Sequence, residues 1–260
     1  MTVATGWTPA NRHPTACGWA GRLGLVLPAN NTVLEPELAR ALPDGVAFHV
    51  ARVRARGDLT VGAVQRMEAE MDSAADMIVE TGVDALAVCD MVTSFIMPPG
   101  WNEATAARQS MAHGIPCFTA WTSLDAALRA TGARRLALGT PYPRKIHSMG
   151  LPFFAAAGYE VTAHDTLDIL AMRDVPAVTG ARLEAFVAGL DLSGAEAVVL
   201  LATDLPSFGS IDRLEAMTGL PVLTSNQAIL WQALALLGRF TGQGAAGPGR
   251  LFRLSAGPRD

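Results

Sequence analysis

The chain has 260 residues, 50% of them apolar and 17% charged, with 25 glycines, 16 prolines and a net charge of -4. A chain of this size buries about 70–75% of its unfolded surface, so it needs no disulfide or metal staple, and such a composition excludes disorder, collagen and coiled coil. The acidic balance offers no basic face for a phosphate backbone, so nucleic acid is not an expected partner.

Residues 1–21 hold Pro, Arg, His and Trp but no apolar core, which is unlike a signal peptide. They are expected to form an arm, with Trp7 and Trp19 available to a neighbouring subunit, and a homo-oligomer is the expected state. Residues 23–27 (LGLVL) form a short continuous apolar run closed by Pro28, the pattern of a strand buried on both faces of a parallel sheet. Residues 46–53 alternate and read as a second strand. Thr60 is placed to cap a helix, and Val64, Met67, Met71, Ala74 or Ala75, and Ile78 recur at helical spacing. Residues 83–89 (VDALAVC) are another buried strand. Residues 102–112 read as a helix, 116–118 as a short strand and 123–130 as a helix.

The alternation then begins again. Strands are expected at 135–139, 160–164, 197–202 and 221–224, with helices at 146–156, 181–189, 211–217 and 227–237. Strands spaced by helices imply βαβ units and parallel sheets. Residues 241–260, rich in Gly and Arg, are expected to be a loose tail. The apolar stretch at 83–97 is broken by Asp84 and Asp90 and closed by Pro98-Pro99, so it falls short of a membrane span.

The restart is visible residue by residue. Gly82 to Met91 (GVDALAVCDM) is matched by Gly194 to Leu205 (GAEAVVLLATDL), and both continue to a Ser-Phe pair. Gly114-Ile115-Pro116 is matched by Gly219-Leu220-Pro221, and Arg22-Leu23 by Arg135-Leu136. The period is about 112 residues. The fold class expected is α/β, with two doubly wound parallel-sheet lobes related by a pseudo-twofold axis. Residues 22–133 form the first lobe, its closing helix able to cross over, and 134–240 the second.

Ligands of open α/β sheets bind beyond the C-terminal ends of the strands. Four such ends carry polar residues here: 28–31, 89–94, 140–142 and 203–207. Cys89 closes a buried strand. It is either a reactive thiol or a small buried apolar residue. Asn30, Asn31 and Thr32 are placed either to hold a carboxylate at a helix start or simply to cap that helix. Thr140 and Tyr142 offer hydroxyls at the matching end of the second lobe, and Thr93 and Ser94 lie in the loop after Cys89. Arg52, Arg54 and Arg56 alternate at a strand end, as an anion site or a solvated edge. No GxGxxG, phosphate-loop lysine or GxSxG motif is present, and the histidines lack ligand spacing, so no cofactor and no metal is expected. Three cysteines, an odd and sparse set, fit free thiols in a cytoplasmic protein.

Residues 24–35 (GLVLPANNTVLE) resemble the opening motif of the maleate cis-trans isomerases, within the aspartate/glutamate racemase superfamily. Residues 48–54 (FHVARVR) are similar to a second segment of that group, and 136–142 (LALGTPY) to its TPY strand end. Residues 224–231 (TSNQAILW) resemble the ectoine-utilisation branch, and arylmalonate decarboxylase is a further neighbour. The resemblance covers residues 22–240. It implies a two-lobed fold with one catalytic residue on each lobe, usually a pair of cysteines facing each other across a small carboxylate. Cys89 falls at the first of these positions and Thr203 at or beside the second, with Asp204 also a candidate. Asn31 and Tyr142 would contact the substrate carboxylate, and a further substrate-binding Asn is replaced by Met172.

A thiol without a second thiol suits covalent addition to an alkene, bond rotation and release. A cofactor-independent isomerase of a small carboxylate is therefore the first expectation. Decarboxylation of a malonate-type acid comes second, and a non-catalytic binder of small carboxylates third.

Overall fold

The computed structural model describes His13 and residues 16–239 and 247–254. Most of the expected N-terminal arm, Trp7 included, and much of the expected tail lie outside those residues. The first sheet contains β1 (Gly21–Pro28), β2 (Val46–Val53), β3 (Ala85–Val88) and β4 (Cys117–Thr119), all parallel, in the order β2-β1-β3-β4. The second contains β5 (Arg135–Thr140), β6 (Glu160–Thr166), β7 (Ala197–Leu200) and β8 (Val222–Thr224), parallel again, in the order β6-β5-β7-β8. The same order occurs twice, so the sequence repeat is a structural repeat. The continuous apolar runs supply the central strands. β3 and β7 are buried at every position, as a parallel sheet covered on both faces requires.

Ten helices connect the strands among the described residues. In the first half they are α1 (Leu34–Ala41), α2 (Val61–Glu68), α3 (Met71–Val79), α4 (Thr93–Ile96), α5 (Trp101–His113) and α6 (Ala120–Thr131). In the second half they are α7 (Arg144–Ala156), α8 (Gly180–Ala188), α9 (Phe208–Thr218) and α10 (Ser225–Leu236). Thr60 caps α2 through its hydroxyl, which accepts the Ala63 amide. The single helix expected from Val64 to Ile78 is two helices. It breaks at Ala69-Glu70, where the Glu70 carboxylate turns to the backbone amide and guanidinium of Arg54. Period alone does not reveal that break, because the apolar stripe continues in phase across it.

The two closing helices interlock the lobes. Helix α6 packs against α10 and reaches β8 of the second sheet, while α10 reaches β3 of the first. Each starts with a capping box, at Thr119 and at Thr224, which are equivalent positions of the repeat. Glu37 of α1 adds a polar clasp. Its carboxylate accepts the backbone amides of Ser207 (2.7 Å) and Phe208 (2.8 Å) and the side-chain amide of Asn226 (2.7 Å).

Within the tail expected at 241–260, the described residues 247–254 are docked on the second lobe. Arg250–Arg253 forms a 3-10 turn whose Leu251 and Phe252 are buried. The Glu215 carboxylate accepts the Arg250 amide there. Gly249 makes the approach possible. Its φ is +81°, and a Cβ would lie 2.6 Å from Ile211.

Candidate active site

The C-terminal ends of the central strands from both lobes meet at one pocket. It is a small, partly open pocket. Asn30, Asp90, Tyr142, Thr203 and Asp204 give it polar walls. Leu59, Met67, Val92, Ile169, Met172 and Val175 give it an apolar side. No Lys, Arg or His lines it among the described residues. The loops carrying Leu59 and Ile169 come from different lobes and pair through a bridge between Asp58 and Ala171, with the Leu59 amide donating to Leu170 (3.0 Å).

Sheet register aligns the repeat precisely enough to compare single residues. Val26 pairs with Val88 as Gly139 pairs with Leu200. The next amides follow suit: Cys89 donates to Val26 O (2.9 Å) and Leu201 to Gly139 O (3.0 Å). Cys89 is therefore equivalent to Leu201, and Asp90 to Ala202. Thr203, expected at or beside the second catalytic position, lies two residues beyond the repeat equivalent of Cys89. Ala202 has a φ of +106°, an uncommon conformation for a residue with a Cβ and one that clusters at functional sites.

Cys89 is wholly buried and is not among the residues lining the pocket. Its thiol donates weakly to Ala87 O (3.5 Å). Burial, and then the charge of Asp90, push the thiol well above its ordinary pKa. The adjacent Asp90 is the one that faces the pocket. Its Oδ2 accepts both the amide and the hydroxyl of Thr93. Burial raises its pKa, and those two bonds offset only part of the rise. Asp204 comes from the other lobe. Its pKa is raised to about 7, chiefly by desolvation and then by Asp90. Tyr142 is held firmly protonated by burial, with Asp90 and Asp204 adding to the effect.

Thr203 and Asn31 are brought together. Asn31 Nδ2 donates to Thr203 Oγ1 (3.1 Å), and Thr203 Oγ1 donates to the backbone oxygen of Cys89 (3.0 Å). Asn31 also caps α1, its Oδ1 accepting the amides of Val33 and Leu34. Asn31 thus takes the capping role, and Asn30 rather than Asn31 lines the pocket. The Asn30 Oδ1 is buried with no hydrogen-bond partner, which leaves an acceptor for a ligand.

The hydroxyls of Thr93, Ser94 and Thr140 do not reach the pocket wall. Thr93 serves Asp90. Ser94 donates to Asn102 (3.1 Å) in a buried network that includes Thr119. Thr140 contacts Nδ1 of His147 (2.9 Å), whose pKa is lowered to about 4 by burial and by His164. Arg52 is not on the pocket either. It pairs with Glu35 and donates to the carbonyl of Asn31 (2.8 Å), so it shapes the turn at the end of β1.

Asp90 was missed as a site residue in its own right, and so was Ala202. The signal was present, because counting the repeat onward from Gly82 and Gly194 aligns Asp90 with Ala202. Leu59 and Ile169 left no trace in the sequence.

The family model for arylmalonate decarboxylase matches residues 23–252. The chain belongs to the arylmalonate decarboxylase family. It is an enzyme of that family, as its opening and TPY motifs implied. A maleate isomerase from Geobacillus stearothermophilus is 28% identical over 83% of this chain and 91% of its own length. A maleate isomerase variant from Pseudomonas putida S16, a cysteine-to-alanine form solved with maleate, is 26% identical. It superposes with a TM-score of 0.83 over 90% of this chain and 98% of its own. A Nocardia farcinica maleate cis-trans isomerase, a cysteine-to-serine variant with a covalently bound succinylcysteine intermediate, is 25% identical. Its TM-score is 0.84 over 91% of this chain and 99% of its own. The two-lobed parallel-sheet architecture is the one these family members share. Among the described residues, no helix is long and apolar enough to cross a membrane.

Proposed function

We propose that this enzyme is a cofactor-independent isomerase of small carboxylates. The observation that carries the reading is the single pocket where strand ends of both lobes meet, with Asp90 from one lobe and Tyr142, Thr203 and Asp204 from the other. Groups on two faces of a substrate carbon are what an isomerase needs and a simple hydrolase does not.

Cys89 is the thiol of this reading. In the Nocardia farcinica relative a cysteine bears the succinyl group although another cysteine has been replaced by serine. One thiol is therefore enough for the adduct, which suits a chain whose second lobe offers Thr203 and Asp204. Addition requires the thiol to turn from Ala87 O toward the pocket and to lose its proton. Asp90, next to it, is the nearest base in sequence. The backbone oxygen of Cys89, held by Thr203, fixes the main chain while the side chain turns.

Decarboxylation of a malonate-type acid is the second reading. It is favoured by the apolar side of the pocket, where Met172 stands in place of an amide. An apolar wall destabilises a carboxylate placed against it and so promotes loss of carbon dioxide.

The test is a nuclear magnetic resonance screen of small unsaturated and α-substituted mono- and dicarboxylates in heavy water, with carbon dioxide release followed in parallel. Isomerisation without carbon dioxide is expected. Release of carbon dioxide transfers the assignment to the second reading, and no turnover of any acid removes both. Cys89→Ala is expected to abolish turnover. An active Cys89→Ala enzyme rules out the thiol route while leaving the isomerase assignment in place.

A further inference from the structure

We infer that Asp90 and Asp204 act as an acid–base pair facing one pocket from the two lobes, with Asp90 the base and Asp204 the acid that returns a proton to the substrate carbon. The inference rests on the isomerase reading and deepens it.

Four observations lead there. Both carboxyls line the same pocket, and each is supplied by a different lobe. No cation lines that pocket among the described residues, so nothing there neutralises two carboxylates at once. The two members are not equivalent. Asp90 accepts two bonds from Thr93, which favour its ionised form, whereas Asp204 accepts none from another side chain among the described residues and has only its own backbone amide. The repeat position of Asp90 in the second lobe is Ala202, whose methyl has no chemistry, and the acid arrives two residues later in the chain.

Like charges confined in a poorly solvated pocket separate their titrations, so that one group ionises and the other keeps its proton. Asp204 keeps it up to a pH of about 7. The remaining titratable group on the pocket wall is Tyr142, which stays protonated, and the buried Cys89 thiol lies behind Asp90. The elements that bring Leu59, Met67, Ile169, Met172 and Val175 to the wall add no charge to it.

The proton balance is closed. Asp90 takes a proton, from the Cys89 thiol during addition or from a substrate C–H during enolisation. The electron pair released forms the S–C bond and places the charge on the neighbouring carbon, or remains on the substrate as an enolate. The Asp204 O–H bond breaks and its proton forms a new C–H bond there. The pair ends with the proton on Asp90 and the charge on Asp204, and collapse of an adduct or exchange with water resets it. No oxidant, reductant or co-reactant is consumed.

The experiment uses the full chain and a carboxylate turned over in the screen above. In heavy water the parent is expected to place solvent deuterium on the substrate carbon, with a rate that falls as pH rises through about 7. Asp204→Asn and Asp90→Asn are each expected to lose about 100-fold or more of that exchange, the usual range for general acid-base groups. Thermal melts establish that the variants are folded. Exchange within about twofold of the parent in Asp204→Asn overturns the pair, since general acid catalysis is worth far more than that. A ¹³C carboxyl titration is independent of substrate. A resonance absent from Asp204→Asn and titrating near 7 supports the pair, and one titrating below about 5, near an ordinary Asp, overturns it. A parent that turns over no acid overturns the isomerase reading instead, and the titration still decides the pair.

Discussion

At the scale of single residues, the pocket trades stability for charge placement. Asp204 has a pKa of about 7 in the fold against an ordinary value of 3.8. Its raised pKa means the folded state holds a proton that the unfolded state releases, so stability falls as pH rises from about 4 to about 7. Asp204→Asn is therefore expected to melt at a higher temperature than the parent above pH 7, with the gap closing toward pH 4. Melts at a series of pH values check this. Met172 is the other informative residue. It gives the wall an apolar group where the family resemblance implies an amide. Met172→Asn is expected to improve the specificity constant for a second carboxylate on the substrate relative to an apolar substituent. The reason is that an amide offers N–H donors and a thioether does not. Paired assays of dicarboxylate and monocarboxylate substrates check it.

Much of this was open to sequence reading. Asn30, Tyr142, Thr203 and Asp204 line the pocket, and all four stand directly after apolar runs. Cys89 was singled out by the same rule, but a strand end has two sides. Which of Cys89 and Asp90 faces the pocket depends on where the last ladder bond falls. Asp90 is the one that lines the pocket, while Cys89 is wholly buried beside it. Thr93 and Ser94 could not be sorted either, because their hydroxyl partners, Asp90 and Asn102, are fixed by the path of α4 and α5.

At the scale of elements, the helix N-termini carry much of the precision. Thr119 and Thr224 start α6 and α10 at equivalent positions, and the Thr-x-x-Thr and Thr-x-x-Gln spacing of their boxes is local chemistry. Glu37 is different in kind. It lies on the buried face of α1 and accepts amides at the start of α9 and the side chain of Asn226 on α10. Burial pushes its pKa up, while those bonds hold it down. Glu37→Ala leaves these donors without a partner and is expected to destabilise the fold by about 2–4 kcal/mol. Urea denaturation checks the value. In sequence Glu37 is only an acidic residue in the first turn of a helix, and its partners lie in the other lobe.

At the scale of the molecule, two sheets of identical order face one pocket and share their closing helices. Helix α10 shows the consequence. It is buried nearly all round and lies between the lobes. Removing either lobe would expose α6 or α10, so the lobes are expected to unfold together. Circular dichroism and intrinsic fluorescence should then report coincident thermal transitions, and two separated transitions would contradict the interlock.

By itself the sequence determined the fold class, the repeat, the strand ends that make the site and the family. Each of these is written in local apolar runs, turn residues and their recurrence, and such signals survive without knowledge of partners. Only the tertiary structure decided which strand-end side chain faces the pocket, that Asp90 rather than Cys89 lines it together with Asp204, and that loops bearing Leu59 and Ile169 complete the wall. Those facts depend on ladder register and on contacts between residues more than a hundred positions apart, and no local pattern encodes them.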